Sequence, residues 1–143
     1  MKGGGLIITL RRAHVEEMLA HARAVAPAEC CGLVGGRNDL AETIYRLQNV
    51  APDPLTTYEG APAELFAAQR TMRARGEQLL AIYHSHPRAA EPEPSETDMR
   101  LAFYPAAVYF ILGLNAEPAA VRAFRLFESE RRWARVEYRI VEE

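Results

Sequence analysis

His84 and His86 stand one residue apart at the end of a short apolar run, "AIYHSHP", at residues 81–87. On a strand, residues two apart face the same side, so the two imidazoles project together and Ser85 faces the other way. Two imidazoles so placed can share one metal ion. Zinc accepts nitrogen and oxygen ligands, and a catalytic zinc keeps three protein ligands and one open position. Asp98 comes after a loop stiffened by three prolines (Pro87, Pro92 and Pro94), long enough to fold back. It is the natural third ligand, for one Zn2+ per chain. Such an ion polarises a bound water and lowers its pKa toward neutrality, which suits attack on a carbonyl. Hydrolysis also needs a base. Glu29, in "APAECCGLVGG", sits between a helix end and a strand start, where its side chain can point into a cleft.

Each of these residues also has an ordinary explanation. A bare H-x-H can be a pair of surface or core histidines. "SETD" at residues 95–98 is close to a capping box, with Ser95 as N-cap and Asp98 three residues on. The two readings agree for Ser95, whose backbone can start a helix while its side chain faces a metal. They compete for the carboxylate of Asp98. Glu29 alone reads as an exposed loop glutamate.

Periodicity gives the helices and strands on which these groups are mounted. Leu6–Arg11 reads as a first strand. Arg12–Val25 carries Val15, Met18, Leu19, Ala22 and Val25 at helical spacing, before Pro27. "CCGLVGGRND" reads as a strand entering a turn, with Ala41–Val50 as its hairpin partner. After the proline-rich "APDPLTTYEGAP", Ala63–Arg75 forms a second helix, with Leu65, Phe66, Gln69 and Met72 at helical spacing and Gly76 as its stop. Gln78–His86 is a strand whose run Leu79–Tyr83 implies burial on both faces. Ser95–Tyr104 is a third helix. Ala107–Leu114, Ala120–Phe127 and Arg132–Val141 are further strands, the last with imperfect alternation of Trp133, Val136, Tyr138 and Ile140. The expectation is one mixed α/β (α+β) domain over residues 1–143, about six strands flanked by helices, with residues 1–5 flexible.

Composition limits the function classes. The 143 residues are 49% apolar and 25% charged, ordinary for a globular domain. A formal charge of −2 carries no nucleic-acid footprint, although arginine greatly outnumbers lysine. The only cysteines, Cys30 and Cys31, are adjacent, which excludes a disulfide framework and fits a reducing cytoplasm. The run Leu6–Leu10 is too short for a signal-peptide core. No apolar run approaches the ~20 residues of a membrane span.

Glu29, His84-Ser85-His86-Pro87, Ser95 and Asp98 together resemble the motif of the JAMM (MPN+, JAB-type) metalloproteases: an upstream glutamate, H-[ST]-H-P, a loop, and S-x-x-D. "ECCGLVGG" resembles the family's E-x-C-G-x-L/V stretch, and "LQNVAPDPLTTYE" its asparagine after the third strand and the irregular segment beyond. The resemblance runs from about Leu6 to Phe127 and is nearest to the small stand-alone prokaryotic members. One departure is visible: eight residues separate His86 from Ser95, one more than the usual spacing. The resemblance implies a cytidine-deaminase-like JAMM/MPN architecture. It implies His84, His86 and Asp98 as zinc ligands, Glu29 as the base that later hands its proton to the leaving amine, and Ser95 as oxyanion donor. It further implies a peptide or isopeptide substrate after the Gly-Gly tail of a ubiquitin-like or sulfur-carrier protein. Such a tail could add to a sheet edge as a strand. A homodimer is left open.

Rival readings make different demands. A metallo-β-lactamase-like H-x-H-x-D-H needs an aspartate and a histidine where Arg88 and Ala89 stand. A nucleobase deaminase needs H-x-E and P-C-x-x-C, which are missing. A non-catalytic MPN interaction module would typically have lost the ligands, all of which are present. A DNA-repair-associated relative shares the H-x-H-P and S-x-x-D elements, so Glu29 and the charge balance argue against it. His14 and His21, seven apart on one helix, are too separated to chelate one ion. Cys31 reads as a small buried residue beside the site, with a secondary role open as an oxidation-sensitive thiol. Trp133 and the late tyrosines fit core packing, and Tyr58 and Glu59 lie in a loop that could border the cleft, without a direct signal.

Overall fold

A computed structural model of the chain describes residues 7–102, 104 and 106–142. The expected flexible leader, and Leu6 of the expected first strand, lie outside the described residues. The elements are β1 (Ile8–Arg11), α1 (Arg12–Val25), β2 (Cys31–Arg37), β3 (Leu40–Leu47), α2 (Pro62–Arg75), β4 (Gln78–His86), α3 (Glu96–Arg100), β5 (Val108–Gly113), β6 (Ala120–Phe127), a 3-10 turn (Glu128–Glu130), β7 (Arg132–Val136) and β8 (Tyr138–Val141).

All eight strands belong to one mixed sheet of order β7-β6-β5-β4-β2-β3-β1-β8. β4 runs parallel to β5, and β1 runs parallel to both β3 and β8. The other neighbours are antiparallel. The β2–β3 hairpin turns through Asn38 and Asp39, both at positive φ (52° and 62°). Two such residues make the turn whose twist suits a two-residue hairpin.

The expected last strand, Arg132–Val141, is in fact two strands at opposite ends of the sheet. Only Glu137 lies between them. Seven inter-strand steps of about 4.8 Å would hold the edges of a flat sheet about 34 Å apart. Two residues of chain span at most about 7 Å. The sheet must therefore curl until its edges meet. The Tyr138 hydroxyl of β8 accordingly donates to the Val121 carbonyl of β6 at 2.6 Å. The break at Glu137 also explains the imperfect alternation in this run, and it turns the seven runs read as strands into eight, above the expected total of about six. Trp133 is exposed, edge-on to Phe124, rather than a core residue.

The curled sheet has two packed faces. Leu10, Val34, Tyr83 and Phe110 join Met18 and Ala22 of α1 on one. Cys31, Leu33, Ile82, Ile111 and Phe124 join Met72 of α2 and Met99 of α3 on the other. α2 ends at Gly76, in the left-handed conformation expected of a helix stop. Phe66 of α2, one of the residues at helical spacing, is 68% exposed. α3 ends at Arg100, short of the expected Tyr104. The Leu101 N–H is shared between the carbonyls of Thr97 and Asp98, and Ala102 bonds back only three residues, so the helix tightens and stops.

Candidate active site

β4 carries His84 and His86 to its C-terminal end on the face shared with Ile82, while Ser85 faces the opposite core. β2 and β4 pair so that Cys31 lies opposite His84. This register brings Glu29, two residues before β2, beside the histidines. Ser85 fixes the approach: its Oγ accepts from the Cys30 N–H at 2.8 Å, and its own N–H donates to the Cys30 carbonyl at 3.2 Å. Asn49 Nδ2 holds the Glu29 carbonyl at 2.9 Å, and the Glu29 N–H donates to the Pro54 carbonyl at 2.8 Å.

The returning loop is tied down as well. The Ala89 carbonyl accepts from the Asn115 N–H at 3.0 Å, and Asn115 Nδ2 donates to the Arg88 carbonyl at 3.3 Å. Gly113 of β5 passes beneath this loop. A Cβ there would sit 2.7 Å from the Ala89 carbonyl oxygen and 2.8 Å from the Pro92 ring, so only glycine fits. Beyond this loop Asp98 reaches both histidines, and Ser95 is hydrogen-bonded to Asp98. Ser95 caps α3, its Oγ accepting from the Asp98 N–H at 3.0 Å, while the Ser95 N–H donates to Asp98 Oδ2 at 2.8 Å.

The two readings of Asp98 turn out not to exclude each other. The same Oδ2 lies 3.2 Å from His84 Nε2 and 3.1 Å from His86 Nε2, and those two nitrogens are 3.2 Å apart. Burial would push the Asp98 carboxyl up. The two imidazoles and the Ser95 N–H outweigh it and hold the carboxyl well below the usual carboxylate range. Burial likewise lowers His86, but Asp98 beside it brings the net shift upward.

Three donor atoms so close to equidistant have the spacing of ligands around one small ion. For zinc–nitrogen bonds of 2.0–2.1 Å, the edge of a regular tetrahedron is roughly 3.3–3.4 Å. Two imidazole nitrogens and one carboxylate oxygen suit zinc among the common metals. Glu29 offers an oxygen within 4.8 Å of a nitrogen of each histidine. Asp98 Oδ2 touches both nitrogens at 3.1–3.2 Å and completes a triangle with them, and Glu29 is the further acid gathered beside the two histidines. Its Oε1 is buried with no hydrogen-bond partner among the described residues. An unsatisfied buried polar atom costs about 1–3 kcal/mol. Burial pushes the Glu29 carboxyl up to about 7, with Asp98 and Asp53 adding to the rise and His86 opposing it. A carboxyl tuned in this way is poised to exchange protons near neutrality.

The sequence offers Tyr58 only as a loop residue that could border the cleft, and gives no sign of the cavity beside it. Tyr58, from the irregular segment after β3, stacks on the His84 ring at 4.4 Å between centroids and 20° between planes. An aromatic in a segment without periodicity gives no signal of its position. Beside it opens an apolar cavity of about 830 Å³, walled by Leu33, Leu47, Tyr58, Leu65, Phe66 and Ile82 among others. Phe66 of α2 faces this space, which accounts for its exposure. The thiols of Cys30 and Cys31 are buried and pushed up to about 11 and about 12, so neither is a reactive thiolate at neutral pH. His14 Nδ1 accepts from the Arg11 N–H at the start of α1, and His21 Nδ1 meets the Tyr83 hydroxyl at 2.7 Å, both remote from the triangle. Among the described residues, no helix is long and apolar enough to cross a membrane.

This assembly sits in a chain whose residues 11–127 match the family described as prokaryotic homologs of the JAB domain. The chain belongs to that family. It is 39% identical over 126 residues to a probable TtuB-protein conjugate cleaving protease of Thermus thermophilus, covering 88% of this chain and 80% of the relative. It is 35% identical over 130 residues to the CysO-cysteine peptidase of Mycobacterium tuberculosis, covering 89% and 88%. Its fold matches the solution structure of a Desulfitobacterium hafniense protein with a TM-score of 0.84 at 36% identity, over 96% and 94% of the two chains.

Proposed function

We propose that the chain is a zinc-dependent peptidase of JAMM type that cleaves the peptide or isopeptide bond after the Gly-Gly tail of a ubiquitin-like or sulfur-carrier protein. The observation that carries this reading is the near-equilateral triangle of His84 Nε2, His86 Nε2 and Asp98 Oδ2, beside Glu29, whose Oε1 has no partner among the described residues. Two relatives covered over most of their length are named for cleaving protein conjugates and for a peptidase acting on CysO-cysteine, which supports the substrate class.

His84, His86 and Asp98 would hold the zinc. When bound it supplies Lewis acidity, polarising a carbonyl and lowering the pKa of water. Glu29 takes the proton of the attacking water on its carboxylate and returns it to the leaving amine, a shuttle that its raised pKa favours. Ser95 Oγ already accepts from the Asp98 N–H, so its hydroxyl hydrogen is free to donate to the carbonyl oxygen as that oxygen gains charge. Neither edge strand of the sheet, β7 or β8, adjoins β4 in the strand order. The apolar cavity next to Tyr58 is a surface open to the tail, taking the side chains that precede the two glycines. Two free, unreactive thiols suit a cytoplasmic location.

The test incubates zinc-loaded protein with sulfur-carrier fusions bearing short C-terminal extensions and reads the products by mass spectrometry. Cleavage after the second glycine is expected. Intact fusions in the presence of stoichiometric zinc would refute the substrate class.

A further inference from the structure

A metal-ligating histidine normally has its ring fixed by a hydrogen bond from its second nitrogen to a carbonyl or carboxylate. His84 lacks that restraint. Its Nε2 faces His86 and Asp98, and its Nδ1 is buried with no hydrogen-bond partner among the described residues. Against the ring lies another ring. Tyr58 stacks on it at 4.4 Å and 20°, while His86 meets it at a steep 60° and 5.0 Å.

Tyr58 is itself held firmly. A single side chain, Asn49, grips the residues on either side of it: Nδ2 donates to the Thr57 carbonyl at 3.0 Å, and Oδ1 accepts from the Glu59 N–H at 3.0 Å. The same Nδ2 holds the Glu29 carbonyl, and Oδ1 also accepts from the Ala51 N–H. One amide thus sets the backbone of both Glu29 and Tyr58.

We propose that Tyr58 is a positioning residue of the metal site, whose stacked ring orients the His84 imidazole in place of the hydrogen bond that Nδ1 lacks. The proposal rests on the reading of His84 as a zinc ligand. A flat aromatic face restricts the tilt of an imidazole, and its negative quadrupole favours a ring made more positive by a bound cation. Phenylalanine can do the same, whereas an aliphatic side chain of similar bulk cannot.

The measurement is substrate-free zinc affinity, by competition with a chromophoric chelator, together with the visible spectrum of the cobalt-substituted protein. Cleavage rates are a poor readout, because Tyr58 also lines the cavity offered to substrate. Tyr58→Phe is expected to stay within about threefold of the wild-type affinity. Tyr58→Leu is expected to bind zinc roughly 10–100-fold more weakly, with shifted cobalt bands. If the leucine variant melts early, Tyr58→Trp against Tyr58→Ile repeats the contrast of ring and no ring without adding a metal ligand. Equal affinity and an unchanged spectrum in the ringless variants would overturn the role of Tyr58 alone. A wild-type protein that takes up no zinc would instead overturn the metal reading beneath it.

Discussion

Two glutamates are buried among the described residues, and their surroundings differ sharply. Glu77, just after α2, accepts from the Thr43 hydroxyl and the Tyr45 hydroxyl, each at 2.7 Å, with Arg75 4.0 Å away. Both of its oxygens are used. Glu29 has its backbone pinned from two directions, yet its Oε1 has no partner among the described residues. Burial alone therefore does not separate a structural carboxylate from a reactive one. The distinction lies in whether the protein commits its donors to the carboxylate or leaves it unpaired beside other converging ligands.

Substituting the two carboxylates in turn puts that contrast at risk. The largest effect is expected for Glu29→Gln, which should lower turnover by roughly 10²–10⁴-fold while keeping zinc and fold. Glu77→Gln should leave turnover near wild type. A Glu29→Gln variant that cleaves at full rate would remove the difference in role. The next effect is one of pH in chelator-treated protein. The Glu29 carboxyl is raised from about 4.5 to about 7 in the fold, so its neutral form is the favoured one. Its stabilising contribution is complete below pH 4.5 and is lost as pH rises through 7. At pH 8 Glu29→Gln should therefore be more stable than wild type, by up to about 3 kcal/mol, with the gain vanishing near pH 4. Denaturant melts across that range would show it, and a gain that is flat with pH would refute the assignment. Ser95→Ala should slow turnover about 10²-fold if the hydroxyl serves the developing oxyanion. Steady-state rates at saturating zinc decide that, and an unchanged rate would leave Ser95 as a helix cap. The smallest change is the loss of about 1–2 kcal/mol expected for Glu77→Gln, read from its denaturation midpoint.

Much of the site was legible because motif chemistry is carried by residue type and order. H-x-H on a strand places two imidazoles on one side, and β4 indeed spans Gln78–His86 with its histidines paired. The two helices with clear spacing, α1 and α2, also read well. The features that escaped depend on partners far away in the chain. The meeting of Glu29 with His84 comes from the β2–β4 register, which local pattern does not encode. Tyr58 lies in a segment placed by Asn49 hydrogen bonds rather than by periodicity. Phe66 has helical spacing, but its neighbour is an open cavity rather than a packed core, and hydrophobicity alone cannot tell these apart. The split at Glu137 is invisible until the sheet is seen to bend round on itself.

That curvature makes the first and last strands depend on each other. β1 shares one bridge with β3, at Thr9 and Leu40, but four successive pairs with β8, from Ile8–Tyr138 to Arg11–Val141. β8 is thus a clasp for the strand that launches α1. A truncation that removes Tyr138–Val141 would unfasten the segment on which α1 is mounted, although the missing residues lie about 130 positions away along the chain. Contacts of that span form late in folding, after the entropy of closing a very long loop has been met.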